Sequence, residues 1–197
     1  MSLLDATADF VEHCAASRRR IVALAAANFL ATIAVNAVGL AFVDSVSIAD
    51  PPLLPDVRFG YTPLELHDAY VAMGPTARRN YLAFELVDIL TYIPSYVLFI
   101  SALLHAAYAK LGAVSLLTYL PFFTGLCDVL ENLAQMYTAL DFADRASLGN
   151  MNWLLAAYTG TVANQFKWIA LVVSLIVLLV TGVRALVAKP PSHTKTA

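Results

Sequence analysis

Residues 114–140 read VSLLTYLPFFTGLCDVLENLAQMYTAL, an apolar run long enough to cross a hydrocarbon core and yet carrying Asp128 and Glu131. A bilayer core takes roughly 20 helical residues to span. An ionised carboxylate at such a depth is costly unless it is paired or protonated. Pro121, Thr124, Asp128, Glu131, Gln135 and Thr138 recur at spacings of three and four, which places them on one helix face. The segment therefore reads as a membrane helix with a polar seam.

The rest of the chain agrees. Of 197 residues, 60% are hydrophobic and 13% charged, with a mean hydropathy of +0.71. A soluble domain would carry about a quarter charged residues. Four apolar stretches reach spanning length: about 21–43, 81–108, 113–140 and 153–188, the last containing WIALVVSLIVLLVTG at 168–182. Runs this long exclude barrel strands, which leaves helices as the way to satisfy every backbone group in lipid. The expected fold is an all-α integral membrane protein, a four-transmembrane-helix bundle forming one domain over 1–197. Residues 1–20 form an N-terminal segment, 44–80 a long outer loop and 189–197 a tail.

The N-terminal segment carries Asp5, Asp9 and Glu12, unlike a secretory or transit peptide. It reads as a short interfacial helix with Leu3, Leu4, Phe10 and Val11 inward. In the outer loop, ADPPLLPD at 49–56 reads as an extended proline-stiffened piece. YTPLELHDAYVAMGP at 61–75 reads as an amphipathic helix capped by Thr62, with Leu64, Leu66, Tyr70 and Met73 on its apolar face and Gly74-Pro75 ending it. It would lie on the membrane or cap the bundle, leaving His67 at the surface. Lys110-Leu111-Gly112 is a tight turn, making the second and third spans an antiparallel hairpin.

Orientation follows the basic residues near the helix ends. With both termini cytoplasmic, Arg18, Arg19, Arg20, Lys110, Arg184, Lys189 and Lys195 lie inside, against Arg58, Arg78, Arg79 and Arg145 outside.

Every span has polar residues at helical spacing. The first has Asn28, Thr32 and Asn36; the second has Glu85, Asp88, Tyr92 and Ser95, with a kink expected at Pro94. The fourth has Thr161, Asn164 or Gln165, and Trp168, with Lys167 beside them. At 1.5 Å per residue, Asn36, Asp128, Lys167, Glu131 and Asp88 fall roughly 22 to 30 Å from the inner ends, with Glu85 a little further out. The hairpin brings Asp88 level with Glu131. Four carboxyls and one lysine at one layer leave a negative excess that protons, Lys167 or a bound cation must offset. Lys167 is expected to pair with Asp128 or Glu131. A purely structural role for the seams, as hydrogen-bonding glue between helices, is the competing reading.

Other chemistry lacks support in the sequence. His105 has no second ligand at its level, no Cys-x-x-Cys pair occurs, and the acids lack the Glu-x-x-His pattern of carboxylate metal sites. Cys14 and Cys127 suggest no disulfide framework. Tyr92, Tyr96, Tyr119 and Tyr137 are candidates for a pocket wall, although aromatic residues on helices usually serve packing. No cofactor or metal is expected, and a net charge of −2 without a recognisable motif excludes a nucleic-acid surface.

The stretch YLAFELVDILTYIPSYVLFISALL at 81–104, following an acid at Asp44 and the YTPLELHDAY helix, resembles the EXPERA family of four-helix membrane proteins, which includes emopamil-binding sterol isomerase and the sigma-2 receptor. The resemblance implies a ligand pocket within the bundle and buried acids that bind cationic amines or move protons on sterols. By it, Glu85 and Asp44 take the acidic roles.

The reading that follows is a polytopic membrane protein with an acid-lined pocket for a lipid or a small amphipathic or cationic molecule. If it is an enzyme, Asp128 or Glu131 serves as general acid/base, with Glu85, Asp88, Tyr92, Asn132, Asn36 and Lys167 around the ligand. The alternatives are a proton- or cation-coupled transporter or channel subunit acting as a homo-oligomer, and a structural subunit of a membrane complex.

Overall fold

The computed structural model describes residues 3–47 and 54–188, with side chains from 5–39 and 54–188. The tail at 189–197, with Lys189 and Lys195, lies outside the described residues, as do the side chains of Leu3, Leu4 and Asp44 and most of ADPPLLPD. Every element is helical, and no strand occurs among the described residues.

The helices are α1 (Leu3–Ala15), α2 (Arg18–Ser47), α3 (Pro63–Val87), α4 (Ile93–Lys110), α5 (Leu120–Leu140) and α6 (Met151–Val187). A π-helical turn, Asp88–Tyr92, joins α3 to α4, and 3₁₀ turns occupy Pro55–Val57, Leu116–Tyr119 and Asp144–Gly149. α4 packs against α1, α2, α5 and α6, while α5 and α6 form the most extensive pair. α3 packs on α2 and α5. The fourth apolar stretch is one helix from Met151, so MNWLLAAYTGTVANQF is its first half rather than a separate piece.

Three helical stretches are long and apolar enough to cross a membrane by length and composition: Arg18–Gly39, the run Pro63–Lys110, and Met151–Val187. α5 is not among them. Its polar side chains lower its hydropathy, yet Thr124, Asp128, Glu131, Asn132, Gln135 and Thr138 are buried while Phe123, Leu126, Leu130, Leu133 and Leu140 are exposed. α5 is thus inverted relative to a water-soluble helix. α5 also begins later than the apolar run does, because Ser115 caps a 3₁₀ turn and Pro121 then occupies the first turn of the helix.

Local chemistry explains the breaks. Thr62 and Glu65 form a reciprocal capping box at the start of α3, with Pro63 following. Gly74, at φ 68° and ψ 173°, interrupts the helical path at the position expected, a conformation that glycine alone adopts freely. The chain then resumes a helix from Pro75 rather than from residue 81. The segment before the break caps the bundle: Leu66, His67, Tyr70 and Met73 are buried. Leu64 is exposed, and His67 is not a surface residue; its ring packs 5.4 Å from Phe142. On α1, Val11 and Cys14 are inward and Phe10 is outward.

Pro94 has no N–H to offer, and the strain is absorbed just before it. The Ile93 amide reaches Asp88 O, an i→i−5 bond, so the expected kink takes the form of the π-turn. Beyond α4, Gly112 (φ 67°) turns the chain back, with the Ala113 amide donating to Tyr108 O at 3.0 Å. The resulting hairpin register brings Asp88 to Asn132, one residue from Glu131.

Candidate functional site

Lys167 projects from the middle of α6 into α5. Its Nζ lies 3.1 Å from Asp128 Oδ1 and 2.6 Å from Glu131 Oε2, so it pairs with both carboxylates. The three side chains are all but buried. Around them the polar atoms form a continuous set. Tyr96 donates to Asp128 Oδ2 at 2.9 Å. Asn164 Nδ2 and Gln135 Nε2 donate to Glu131 Oε1 at 2.7 and 2.8 Å. Gln135 also donates to Tyr61 OH and accepts from Tyr81 OH, while Tyr70 OH donates to the Gln135 carbonyl. On the other side of α5, Asn132 Nδ2 donates to Asp88 Oδ2 at 2.7 Å.

The loop before α3 enters this set, which helical periodicity cannot reveal. Gly60 N donates to Asn164 Oδ1 at 2.6 Å, Tyr61 N to Thr161 Oγ1 at 2.8 Å, and Trp168 Nε1 to Arg58 O at 3.0 Å. Lys167 Nζ donates to the Asp56 carbonyl at 3.3 Å. The polar seam of α6 is therefore a dock for residues 56–61. It brings in a further acid, Asp56, whose Oδ1 is buried without a hydrogen-bond partner. Burial holds the Asp56 carboxyl above its usual range, against the opposing pull of Lys167. The one sequence signal for it is an acid set among apolar residues in LLPDV.

A cavity of about 560 Å³ opens beside this cluster. Asn28, Thr32 and Asn36 of α2, Asp56, Asp88, Tyr92, Asp128 and Lys167 line its polar part. Phe99, Leu103, Leu171, Leu175 and Leu178 line the remainder. Of the residues singled out from the sequence, Asn36, Asp88, Tyr92, Asp128 and Lys167 border the cavity, as do Asn28, Thr32, Tyr96 and Trp168. Asn132 acts on it through Asp88. Glu131 stands behind the wall, saturated by Lys167, Asn164 and Gln135. Glu85 is 1% exposed on α3 with neither carboxyl oxygen hydrogen-bonded, and it does not border the cavity. Tyr96, one of four tyrosines that the sequence alone does not rank, holds Asp128 in place.

Counting Asp56 and Glu85, five carboxyls share this region with Lys167. One ammonium offsets one charge, and burying bare carboxylates costs several kcal/mol each, so the excess is met by protons or by a cation. Among the described residues, no group of three or more His, Cys, Asp or Glu side chains is placed to hold a metal ion. Chemically, the cavity wall offers a carboxylate clamped between a phenol and an ammonium, facing space with an apolar far end.

No protein-family model matches the chain, and neither a curated protein nor a solved structure matches it.

Proposed function

We propose that the chain is a four-span integral membrane protein, both termini cytoplasmic, whose cavity binds a lipid or a small amphipathic or cationic molecule. The observation that carries this reading is the polarity gradient of the cavity. Tyr92, at the end of the π-turn, to Leu103 on α4, and Lys167 to Leu178 on α6, run from its acidic part to its aliphatic part. Eleven helical residues span roughly 16 Å, the length of a small amphiphile. The inverted burial of α5 supports counting it as the fourth span, since apolar side chains outward and polar ones inward suit a lipid solvent. If the protein is an enzyme, Asp128 is the group at the cavity that exchanges a proton with the ligand. Tyr96 and Lys167 would hold its carboxylate, and Tyr92 and the Asn132–Asp88 pair would orient the ligand. The resemblance to the EXPERA family belongs to the same proposal.

Mass spectrometry of lipids and metabolites carried by the purified protein tests the reading, with Asp128→Asn as the comparison. Loss of one bound species in the variant is the expected result; identical profiles would sink the pocket.

A further inference from the structure

A second hollow, about 480 Å³, lies against the outer flank of α6, lined by Val57, Phe59, Trp168, Ile169, Val172 and Val173. Val57 and Trp168 also line the acid-bearing cavity, so these two side chains form a shared partition between groove and cavity. The groove itself presents almost nothing polar. The Trp168 indole N–H is already engaged with Arg58 O, which leaves its ring as apolar wall. Phe59, Ile169, Val172 and Val173 are exposed although bulky and apolar, a strip continuous with the exposed aliphatic side chains of a helix long enough to cross a membrane. A groove of this chemistry cannot orient a polar ligand, but it fits a flexible hydrocarbon laid along the helix.

We propose that this groove is an acyl-chain site, and that the Val57–Trp168 partition is the door between it and the cavity. This rests on the pocket reading above for the door, but not for the groove. The polar anchors of the door are the three bonds that dock residues 58–61 on α6: Gly60 N to Asn164, Tyr61 N to Thr161, and Trp168 to Arg58 O. An amphiphile drawn from a lipid phase enters chain first along Ile169 and Val173 and passes its polar end inward when Val57 swings with the loop.

Trp168 reports the site directly. Only Trp153 and Trp168 are present, and Trp153 is fully buried, so Trp153→Phe leaves a single reporter and Trp168→Phe supplies the background. 9,10-Dibromostearate is titrated into the Trp153→Phe protein in unbrominated detergent. Saturable quenching that plain stearate reverses is expected. Val173→Phe, which fills the groove without lining the cavity, should raise the half-saturating concentration at least about fivefold. Leu175→Phe, which narrows only the cavity, should leave it unchanged. Quenching that rises linearly, resists stearate, or stays at the Trp168→Phe background overturns the site. Sensitivity to Leu175→Phe alone also overturns it, while supporting the cavity as the binding place. Loss of the cavity's bound species in Asp128→Asn with dibromostearate quenching intact leaves both readings standing; unchanged species with intact quenching removes the pocket and keeps the groove.

Discussion

The ammonium of Lys167 bridges Asp128 and Glu131, at 3.1 and 2.6 Å, and so ties one point of α6 to successive turns of α5. Removing one partner from a buried pair leaves the others desolvated and uncompensated, which costs about 3–5 kcal/mol. Lys167→Met is therefore expected to lower the apparent unfolding temperature in detergent sharply. Combining it with Asp128→Asn and Glu131→Gln removes the orphaned charges and should restore most of the loss. A single mutant that melts like the wild type would show that the pair carries no such weight.

Gln135 is the junction of the network above Glu131, accepting from Tyr81 and donating to Glu131 and Tyr61. Gln135→Leu strands the buried Tyr61 and Tyr81 hydroxyls at about 1–3 kcal/mol each, while Glu131 keeps Asn164 and Lys167. Gln135→Leu with Tyr81→Phe should be less damaging than the single change by roughly one such group. Additive losses in that double-mutant cycle, read by thermal unfolding, would contradict the contact.

Close approach of α4 and α5 depends on Gly125. A Cβ there would come within 2.6 Å of Val97 Cγ2 and 3.3 Å of Ile93 Cγ2, both on stiff β-branched side chains. Gly125→Ala is expected to destabilise by about 1–3 kcal/mol. Gly182, with nothing within 4 Å of its added Cβ, is the control. Gly182→Ala should be neutral or stabilising by up to about 1 kcal/mol, since alanine is the better helix former.

The capping box, in the bundle-capping segment ahead of the Gly74 break, gives a pH signature. Hydrogen bonds from Thr62, its backbone first, and the nearby Arg58 hold the Glu65 carboxyl below its usual range. A lowered folded-state value contributes stability that is present above the unfolded carboxyl range and lost as pH falls through the folded one. Amide hydrogen exchange at the start of α3 should therefore quicken on acidification through that window, after correction for intrinsic rates. Glu65→Gln should abolish the pH dependence, and Thr62→Ala should cost about 1 kcal/mol of local protection at neutral pH. A pH-independent opening would refute the assignment.

Much of the cluster is legible in the sequence because helices have a period. Spacings of three and four are enough to put Asp128, Glu131, Gln135 and Thr138 on one face, and the turn at Gly112 sets the register that brings Asp88 of the π-turn to α5. The docking of residues 56–61 on α6 is not legible. Those contacts join positions more than 100 residues apart, and a loop has no period from which its path can be read. Asp56 escapes a sequence reading for that reason. His67 escapes it for another: an amphipathic pattern tells which side is apolar but not that a histidine will share that side when Phe142 offers its ring. The hydropathy of α5 and its burial pull in opposite directions because hydropathy averages the two faces that burial separates.

The π-turn at Asp88–Tyr92 is equivalent to one residue inserted into an otherwise regular helix. At its first residue Asp88 meets Asn132; one helical turn past its last residue Tyr96 meets Asp128. A helix advances about 100° per residue, so deleting one residue within the turn would satisfy one of these pairs only by rotating the other off α5. The span thus has a fixed length in this region. Side chains there can be exchanged, but the chain cannot gain or lose a residue without giving up one of its two contacts with the acid cluster.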